Sequence, residues 1–335
     1  MLSRCMKPTV SIVGAGRVGR TLAHRLHKLG WRIGAVVTRS PATARAAVRA
    51  IGDGTPFAIS LESPNRGLRG SPLPLSRSKA NGGRHKGGLE TGASAPEAIA
   101  APLAADIILF TTPDDALPTV VRSLARIGGP QWRGKIALHT SGTLDRTALA
   151  PLARLGVHTG SLHPMQAFSG AIIPKLAGVT FAIEGDAKAR RAAQRIAREF
   201  GGSPVIIASR DKPIYHATAV LTCGSAYPLI ESSLQMLERI GFTRQRAMQT
   251  LLPLTRQMLD NVERLGPRAA WTGPLSRGDY AVIAAHAKAL RRYPREIREA
   301  YAVLAHLAAR VLAKQPGATA KRLKRALKHL KGGSR

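Results

Sequence analysis

The sequence predicts a two-domain protein in which an α/β domain with a mostly parallel, doubly wound sheet precedes an all-α domain. Up to residue 209, short β-branched strands alternate with helical segments, which is the order that a parallel sheet with crossover helices requires. From residue 210 onward the chain shows only the periodicity of helices. The length of 335 residues also fits two domains, at about 150 residues each.

The elements of the α/β domain can be placed from the apolar runs and the glycines that end them. A strand is predicted over 9–13, a helix from there to Gly30, a second strand over 33–37 and a helix over 42–51. The sheet resumes at 106–110, and a helix follows to about residue 127. Further strands are predicted over 136–138, 157–162, 179–183 and 204–208, with a helix over 187–200.

One segment interrupts this alternation. Residues 61–98 contain 16 Gly, Ser or Pro residues among 38 and no aromatic residue. A segment of this composition cannot bury enough apolar surface to offset the entropy that ordering would cost. We therefore predict a flexible insertion in a surface loop of the α/β domain.

The helical domain is predicted over 210–314, with helices over 212–240, 243–265, 279–290 and 294–313. Residues 315–335 form a basic tail without an acidic residue. In this tail, Leu323, Leu327 and Leu330 form one apolar stripe among Lys and Arg residues. The pattern predicts a basic amphipathic helix, which docks on its own domain or contacts an anionic surface.

The composition excludes several classes of protein. No apolar run approaches the roughly 18 residues that a membrane span needs, so no membrane insertion is expected. The two cysteines, Cys5 and Cys223, form neither a disulfide framework nor a metal site. The first residues lack the apolar segment of a signal peptide, so we expect a cytoplasmic protein without a metal.

The charge balance is strongly basic. The chain has 51 Lys and Arg residues against 19 Asp and Glu residues, a net charge of +32. Such a field attracts polyanions such as nucleotides, nucleic acid or anionic lipid. Aromatic residues make up only 4% of the chain, too few for the stacking platforms of single-strand binding proteins. A nucleic-acid-associated protein that uses the basic surface therefore stays a third alternative.

The strongest local motif is Gly14-Ala15-Gly16-Arg17-Val18-Gly19, which follows the first strand and opens the first helix. In this context the glycines allow a tight turn, close approach of the backbone to a pyrophosphate and close helix packing. The helix N-terminus offers free N–H groups and a positive dipole to the phosphates. The motif predicts a dinucleotide site in a Rossmann domain, and the alternative is a glycine-rich turn without a ligand.

The end of the second strand indicates which dinucleotide binds. An NAD site would have an acidic residue about 20 residues beyond the motif. This chain has Thr38-Arg39-Ser40 there, and its first acidic residue is Asp53. Arg39, flanked by hydroxyls, can bind a 2′-phosphate, so NADP is the predicted cofactor. The alternative is that Arg39 is a solvated loop residue.

Polar residues also follow three later strands. Thr111, Thr112 and Pro113 follow the first of these strands, Ser141 the next and His163 the last. Ligands of open α/β sheets bind at such carboxyl ends. We predict that the first four contact the cofactor or the substrate, and that His163 can protonate a substrate oxygen or nitrogen. The alternatives are ordinary loop chemistry and a structural histidine.

The first helix after the sheet carries a second candidate proton donor. Lys212 and His216 lie four residues apart and therefore on one helix face. An imidazole can donate a proton near neutral pH, and a neighbouring ammonium lowers its pKa or holds an anionic substrate group. We predict His216 as the proton donor with Lys212 beside it, and His163 as the substitute. The alternative is that His216 satisfies a core hydrogen bond and Lys212 is solvated.

Several motifs in order resemble a known family: the glycine motif, Thr112-Pro113-Asp114-Asp115-Ala116, His139-Thr140-Ser141-Gly142, Tyr215-His216-Ala217 and the loop 272–279. The chain resembles Rossmann-like proteins with a DUF2520 domain over nearly its whole length, except for 61–98 and the tail. The resemblance implies an architecture related to 6-phosphogluconate dehydrogenase, pyrroline-5-carboxylate reductase and ketopantoate reductase. Where many relatives read Ser-Asn-Tyr, this chain reads Cys223-Gly224-Ser225, so one polar substrate contact of the family is absent.

The motifs and the resemblance together predict an enzyme that uses NADP. The expected reaction is hydride transfer to or from a small carbonyl, imine or hydroxy compound, and the cofactor supplies that chemistry. The alternative is a non-catalytic NADP-binding sensor or regulatory protein. The expected partners are a small-molecule substrate and a second copy of the chain, which would form a homodimer through the helical domain.

Overall fold

The computed structural model describes residues 7–59 and 104–331. The predicted insertion at 61–98 and the last residues of the tail lie outside the described part of the chain. Two compact units are found, with their boundary between Val220 and Leu221. The sequence predicts a domain boundary after residue 209, directly after the last strand. By its contacts, the helix that begins at Lys212 belongs to the unit that contains the sheet.

The first unit alternates strands and helices along the described chain. The eight strands form one sheet in the order β3-β2-β1-β4-β5-β6-β7-β8. Neighbouring strands are parallel except β6 and β7, which are antiparallel, so the predicted mostly parallel, doubly wound sheet is confirmed. The elements are β1 (Val10–Val13), α1 (Arg17–Lys28), β2 (Ile33–Thr38), α2 (Pro41–Ile51), β3 (Thr55–Ala58), β4 (Ile107–Phe110), α3 (Leu117–Gly128), β5 (Ile136–His139), α4 (Ala150–Ala153), β6 (His158–Pro164), β7 (Thr180–Gly185), α5 (Ala187–Glu199), β8 (Ser203–Ile206) and α6 (Lys212–Ala219).

Both faces of this sheet are covered by helices. In β4, Ile107 and Leu109 share a core with apolar residues of α1, α2 and α5, whereas Ile108 and Phe110 share a core with those of α3 and α4. All four side chains are buried. A continuous apolar strand, rather than one that alternates with polar residues, is expected where a parallel sheet is buried on both faces.

Local sequence signals fix the ends of the helices. At α2, the Ser40 hydroxyl accepts a hydrogen bond from the Thr43 N–H at 3.3 Å, and Pro41 occupies the first turn. The helix ends at Gly52, whose φ of 92° lies in the left-handed region. These features are the usual ones for a helix start and a helix end.

The register of the sheet aligns the carboxyl ends of β1, β4 and β5 with Ser161 of β6 at one edge. Val13 pairs with Phe110, Phe110 with His139, and His139 with Ser161. The chain order reverses between β1 and β4, which makes this the topological switch point where open α/β sheets bind ligands. The segments that leave β1, β4 and β5 therefore lie beside one another.

The second unit is helical throughout its described residues. A π-helical segment over 220–224 precedes α7 (Ser225–Glu238), α8 (Arg244–Leu265), α9 (Pro267–Ala270), α10 (Pro274–Arg277), α11 (Tyr280–Leu290), α12 (Arg295–Val311) and α13 (Pro316–Ala326). Leu323, Leu327 and Leu330 of the tail are buried in one core with residues of α11 and α12. Docking of the tail on its own domain is thus confirmed. Within 7–59 and 104–331, no helix has the length and apolarity to span a membrane.

Candidate functional site

The glycine motif forms a tight turn between β1 and α1 in which each glycine has its own reason. Gly14 has a φ of 95°, and a Cβ there would lie 2.7 Å from the Thr112 side chain. A Cβ on Gly19 would lie 2.5 Å from the Gly14 carbonyl oxygen. A Cβ on Gly16, in contrast, would meet nothing within 4 Å. The first and third glycines therefore serve packing, and the second leaves open space in front of the helix N-terminus.

A pocket of about 410 Å³ lies at the switch point, between the turn after β1 and the loop after β4. Thr38 and Arg39, at the end of β2, also line this pocket. Eight predicted cofactor residues line it: Gly14, Ala15, Gly16, Thr38, Arg39, Thr111, Thr112 and Pro113. Arg17, Val18, Gly19, Ser40 and Ser141 were also predicted to bind the cofactor but do not line the pocket. Lining residues that the sequence did not indicate include Thr43, Ile59 and Asp115.

The pocket fits a dinucleotide in three respects. The Thr112 hydroxyl is buried and has no hydrogen-bond partner in the described residues, so a ligand could satisfy it. The N-cap residue of α1, Gly16, has no side chain to bond the first N–H groups of the helix, and these groups attract phosphates. Arg39 is exposed and takes part in no ion pair within 7–59 and 104–331.

The acidic residue that follows α2 is engaged elsewhere. Asp53 accepts hydrogen bonds from the N–H groups of Ile33 and Gly54, each at 2.8 Å. Its carboxylate therefore joins the start of β2 to the end of α2. The carboxylate expected for an NAD ribose does not follow β2, although Asp115, which follows β4, also lines the pocket.

The loop after β5 is tied to the loop after β4. The Ser141 hydroxyl donates to Asp114 Oδ2 at 2.7 Å and accepts from the N–H groups of Thr143 and Leu144 at 3.1 and 2.9 Å. All the bonds that this hydroxyl forms are thus with the protein. In the described residues Ser141 holds two loops together, and its predicted contact with the cofactor or the substrate stays a prediction.

Lys212 is fully buried, with 0% of its surface exposed. Its Nζ donates to the Ser141 carbonyl at 3.1 Å and to Ser161 Oγ at 2.9 Å. Burial lowers the pKa of this ammonium to about 8, and the negative charge of Glu184 opposes the shift. Of the two predicted roles of Lys212, holding a substrate group does not fit the structure, because its buried ammonium joins the loop after β5 to Ser161 of β6. The other predicted role, acting on His216, stays a prediction.

His139 is a structural member of the same network. Its Nε2 lies 3.0 Å from the Asp145 carbonyl, and its Nδ1 accepts from the Ser141 N–H at 3.2 Å. Burial and the positive charge of Lys212 lower its pKa to about 4. The ring is therefore neutral at pH 7 and orients the loop after β5.

Two further histidines meet at Gly142. The ring centroids of His163 and His216 are 5.6 Å apart in an edge-to-face arrangement. A Cβ on Gly142 would lie 2.4 Å from His216 Cδ2 and 2.9 Å from His163 Nε2. His163 Nδ1 lies 3.2 Å from the Tyr215 hydroxyl, and His216 Nδ1 lies 3.3 Å from the Thr143 hydroxyl. The structure therefore brings both predicted proton donors together, beside Gly142, which has no side chain to keep the rings apart.

Burial sets the protonation state of His163. Burial, followed by the charge that His216 can carry, lowers the pKa of His163 to about 4. Burial raises the pKa of Tyr215 to about 12, so its hydroxyl stays protonated and can donate to His163 Nδ1. That arrangement leaves the ring proton of His163 on Nε2, which faces Gly142. At pH 7, His163 is thus a neutral hydrogen-bond donor.

Around the histidine cluster, sequence reasoning missed two contributors, Asp114 and Tyr215. Each lies next to a residue that was predicted, within the motifs Thr112–Ala116 and Tyr215–Ala217. Adjacency in a motif was therefore the signal that could have found them. Within 7–59 and 104–331, no group of three or more His, Cys, Asp or Glu side chains could hold a metal ion.

Comparison with protein families finds two matches. A Rossmann-like domain matches residues 89–164, and a domain of unknown function, DUF2520, matches residues 179–308. Both are the domains of the family that the motifs resemble, so that prediction is confirmed. Comparison with curated protein sequences finds no match.

Solved structures share the fold at low sequence identity. A putative NADP oxidoreductase from Bacteroides fragilis superposes with a TM-score of 0.65 at 19% identity, covering 90% of this chain and 97% of that one. A putative oxidoreductase from Pseudomonas putida gives 0.61 at 16% identity, covering 96% and 98%. Pyrroline carboxylate reductase from Plasmodium falciparum, with NADP bound, gives 0.50 at 14% identity, covering 96% and 100%. These likenesses show the fold.

Proposed function

We propose that this chain, which joins a Rossmann-like domain to a DUF2520 domain, is an NADP-dependent oxidoreductase that acts on a small carbonyl, imine or hydroxy compound. One observation carries the proposal: the dinucleotide pocket and the two-histidine cluster lie at neighbouring strand ends of one sheet. The Asp114–Ser141 hydrogen bond joins the loop beside the pocket to the loop beside the histidines. A cofactor site and a proton donor are thus built on one rigid frame.

The cofactor would be held by groups on three strand ends. The open space at Gly16 and the N-terminus of α1 suit the pyrophosphate, and Arg39 suits a 2′-phosphate. The Thr112 hydroxyl, which lacks a protein partner in the described residues, suits a polar group of the ligand. When bound, NADP supplies or accepts the hydride.

The protein supplies the proton through His216. His163, with its pKa lowered to about 4, is not in its imidazolium form at pH 7 and therefore cannot serve as a general acid. His216 is half-buried and contacts the exposed Thr143 hydroxyl, so it can exchange a proton with a bound substrate and with solvent. We assign His216 as general acid or base, and neutral His163 as a hydrogen-bond donor that orients the substrate.

Lys212 and Ser141 act as positioning residues in this proposal. The Lys212 ammonium fixes the Ser141 carbonyl, and the Ser141 hydroxyl fixes the two loops. Both histidine rings fill the space that a side chain on Gly142, the next residue, would occupy. The network therefore holds His163 and His216 where a substrate beside the cofactor would meet them.

The proposed substrate class rests on what a proton donor beside a nicotinamide cofactor can do. Hydride addition to C=N or C=O needs one proton at the nitrogen or oxygen, which His216 can provide. The pyrroline carboxylate reductase that shares this fold was solved with NADP bound, and this supports cyclic imines as the first compounds to test. We place the activity in the cytoplasm, where a free, exposed thiol such as Cys223 stays reduced.

The test is to offer the enzyme NADPH with each of a panel of imines, ketones and aldehydes. Oxidation of NADPH is measured as the loss of its absorbance. With the substrate so found, His216→Gln should lower turnover by about 10²-fold while NADPH affinity and melting temperature stay unchanged. Tight NADPH binding without turnover on any compound would favour the sensor alternative. Early melting of His216→Gln with parallel losses in binding would instead make His216 structural.

The proposed partner of the helical unit is a second copy of the chain. In the 22-residue helix α8, Ala247 is the one buried residue, whereas Leu254, Met258 and Leu265 share one face and are 67%, 48% and 61% exposed. An apolar helix face of this kind marks an interaction surface. Light scattering should therefore give a dimer for the wild-type protein and a monomer for L254E/M258E. Arg256→Glu, on the same helix, is the control, and a monomeric wild-type protein would refute the dimer.

A further inference from the structure

We propose a second ligand site in the helical unit, which binds a compact polyphosphate, either free or carried by a nucleoside. The site is a cavity of about 730 Å³ between the first half of α12 and the tail. Its size falls within the range of small-molecule pockets, which is about 300–1,000 Å³. This site is separate from the glycine-motif pocket, and the proposal does not depend on the oxidoreductase activity.

Cationic side chains line the cavity from two segments. Arg295 and Arg298 come from the first turn of α12, and Lys324 and Lys328 come from the tail. His306 adds a titratable ring, and Ala302, Leu327 and Leu330 add apolar surface. An organic phosphate has both kinds of group, charged oxygens and an apolar part, so the lining suits it.

The charges in the cavity are not balanced by the protein. Glu299 is the one acidic residue among the lining residues, and it is bound to Arg295 at 2.7 Å. Lys324 and Lys328 take part in no ion pair within the described residues. Like charges four residues apart on a helical segment repel one another, and a cleft lined by one sign of charge concentrates ions of the other sign. An anion would remove this repulsion.

Arg298 is already oriented by the protein. One of its terminal nitrogens donates to the Leu330 carbonyl at 3.2 Å, so α12 and the end of the tail are joined at the cavity. Its Nε is buried without an acceptor in the described residues. A buried N–H of this kind is expected where a water or an anion is part of the bound state.

The shape favours a compact ligand over nucleic acid. From 288 to 331 the chain has 13 Lys or Arg residues and two Glu residues, and a duplex would need many of them on one open surface. The four cations named above instead converge on one concavity. Fork-shaped guanidinium groups and point-charge ammonium groups together are the usual partners of phosphate.

The test is calorimetric titration of the full-length protein with inorganic triphosphate and with ATP. We expect saturable binding of one or both, and K324Q/K328Q should weaken it by about tenfold or more. The double variant K321Q/R325Q removes the same charge from exposed positions of the same helix that do not line the cavity, and it should change the affinity by less than about threefold. Equal melting temperatures would show that all variants are folded.

The outcomes separate the sources and the alternatives. Tighter binding of ATP than of triphosphate would show that the nucleoside contributes, and equal binding would show that the phosphates suffice. Absence of saturable binding, or equal losses in both double variants, would refute the site. Loss of binding in Arg39→Ala but not in K324Q/K328Q would place the anion in the glycine-motif pocket and also refute it. Salt-sensitive binding of duplex DNA that displaces triphosphate would indicate an extended nucleic-acid surface instead.

Discussion

Replacing Gly142 by alanine tests whether the two-histidine cluster performs the chemistry. The backbone of Gly142 lies outside the left-handed region, so a Cβ adds no conformational strain. The added methyl group would lie 2.4 Å from His216 Cδ2 and 2.9 Å from His163 Nε2. The substitution therefore perturbs the two rings by steric contact alone.

The size of the effect follows from these distances. Carbon atoms in contact are separated by about 3.5–4.0 Å, so the His216 ring must move by about 1 Å or more. Misplacing a reacting group by about 1 Å can cost about 10²-fold in rate. Gly142 does not line the cofactor pocket, so NADPH affinity should not change. We therefore expect turnover to fall by about 10²-fold at constant affinity for NADPH.

The assay is steady-state turnover on the imine or carbonyl compound found in the panel, together with NADPH titration and thermal melting. Gly317→Ala is the matched control, because a Cβ there would meet nothing within 4 Å. Wild-type turnover in Gly142→Ala, with the protein folded, would show that the positions of His163 and His216 do not matter. The catalytic role of the cluster would then be wrong.

Three further expectations concern single side chains. Arg39→Ala should weaken NADPH binding by about tenfold or more and spare NADH, with Arg49→Ala on the exposed side of α2 as the control; equal loss for both cofactors would refute the role of Arg39. Because the pKa of Lys212 is lowered from 10.5 to about 8, the unfolded chain binds the extra proton between these values, so stability should rise by about 2 kcal/mol from pH 8 to pH 10. Lys212→Met should lack that rise in chemical denaturation, and a parallel rise in both proteins would contradict it. Because the pKa of His163 is lowered from 6.5 to about 4, its ring should stay neutral in NMR titration until the pH approaches 4, and protonation near pH 6.5 would contradict this.

The fold and most of the lining of the glycine-motif pocket could be predicted because their signals are local. The strands of the sheet are short apolar runs, and the glycine motif needs only its own backbone and the strand before it. Arg39 follows β2 directly, and Thr112 and Pro113 follow β4. In a parallel sheet the position of a residue just after a strand places it at the ligand edge.

The bonding state of the polar side chains could not be predicted because it depends on residues far along the chain. The Ser141 hydroxyl donates a hydrogen bond to Asp114, which is 27 residues away along the chain. The Lys212 ammonium donates to Ser141 and Ser161, which are 71 and 51 residues away. Position after a strand shows that a group reaches the edge of the sheet. It does not show whether that group faces a ligand or a neighbouring loop.

The spacing of Lys212 and His216 shows how the two kinds of information combine. The spacing of four residues places the side chains of Lys212 and His216 on one face of α6, and this face meets β6 and the loop after β5. The first turn of that face is buried, and there the ammonium fixes the Ser141 carbonyl. One turn later the His216 ring reaches Gly142, the residue next to Ser141. The same four-residue spacing therefore gives a buried lysine and a half-buried histidine, because the edge of the sheet covers the first turn of the helix and leaves the second partly open.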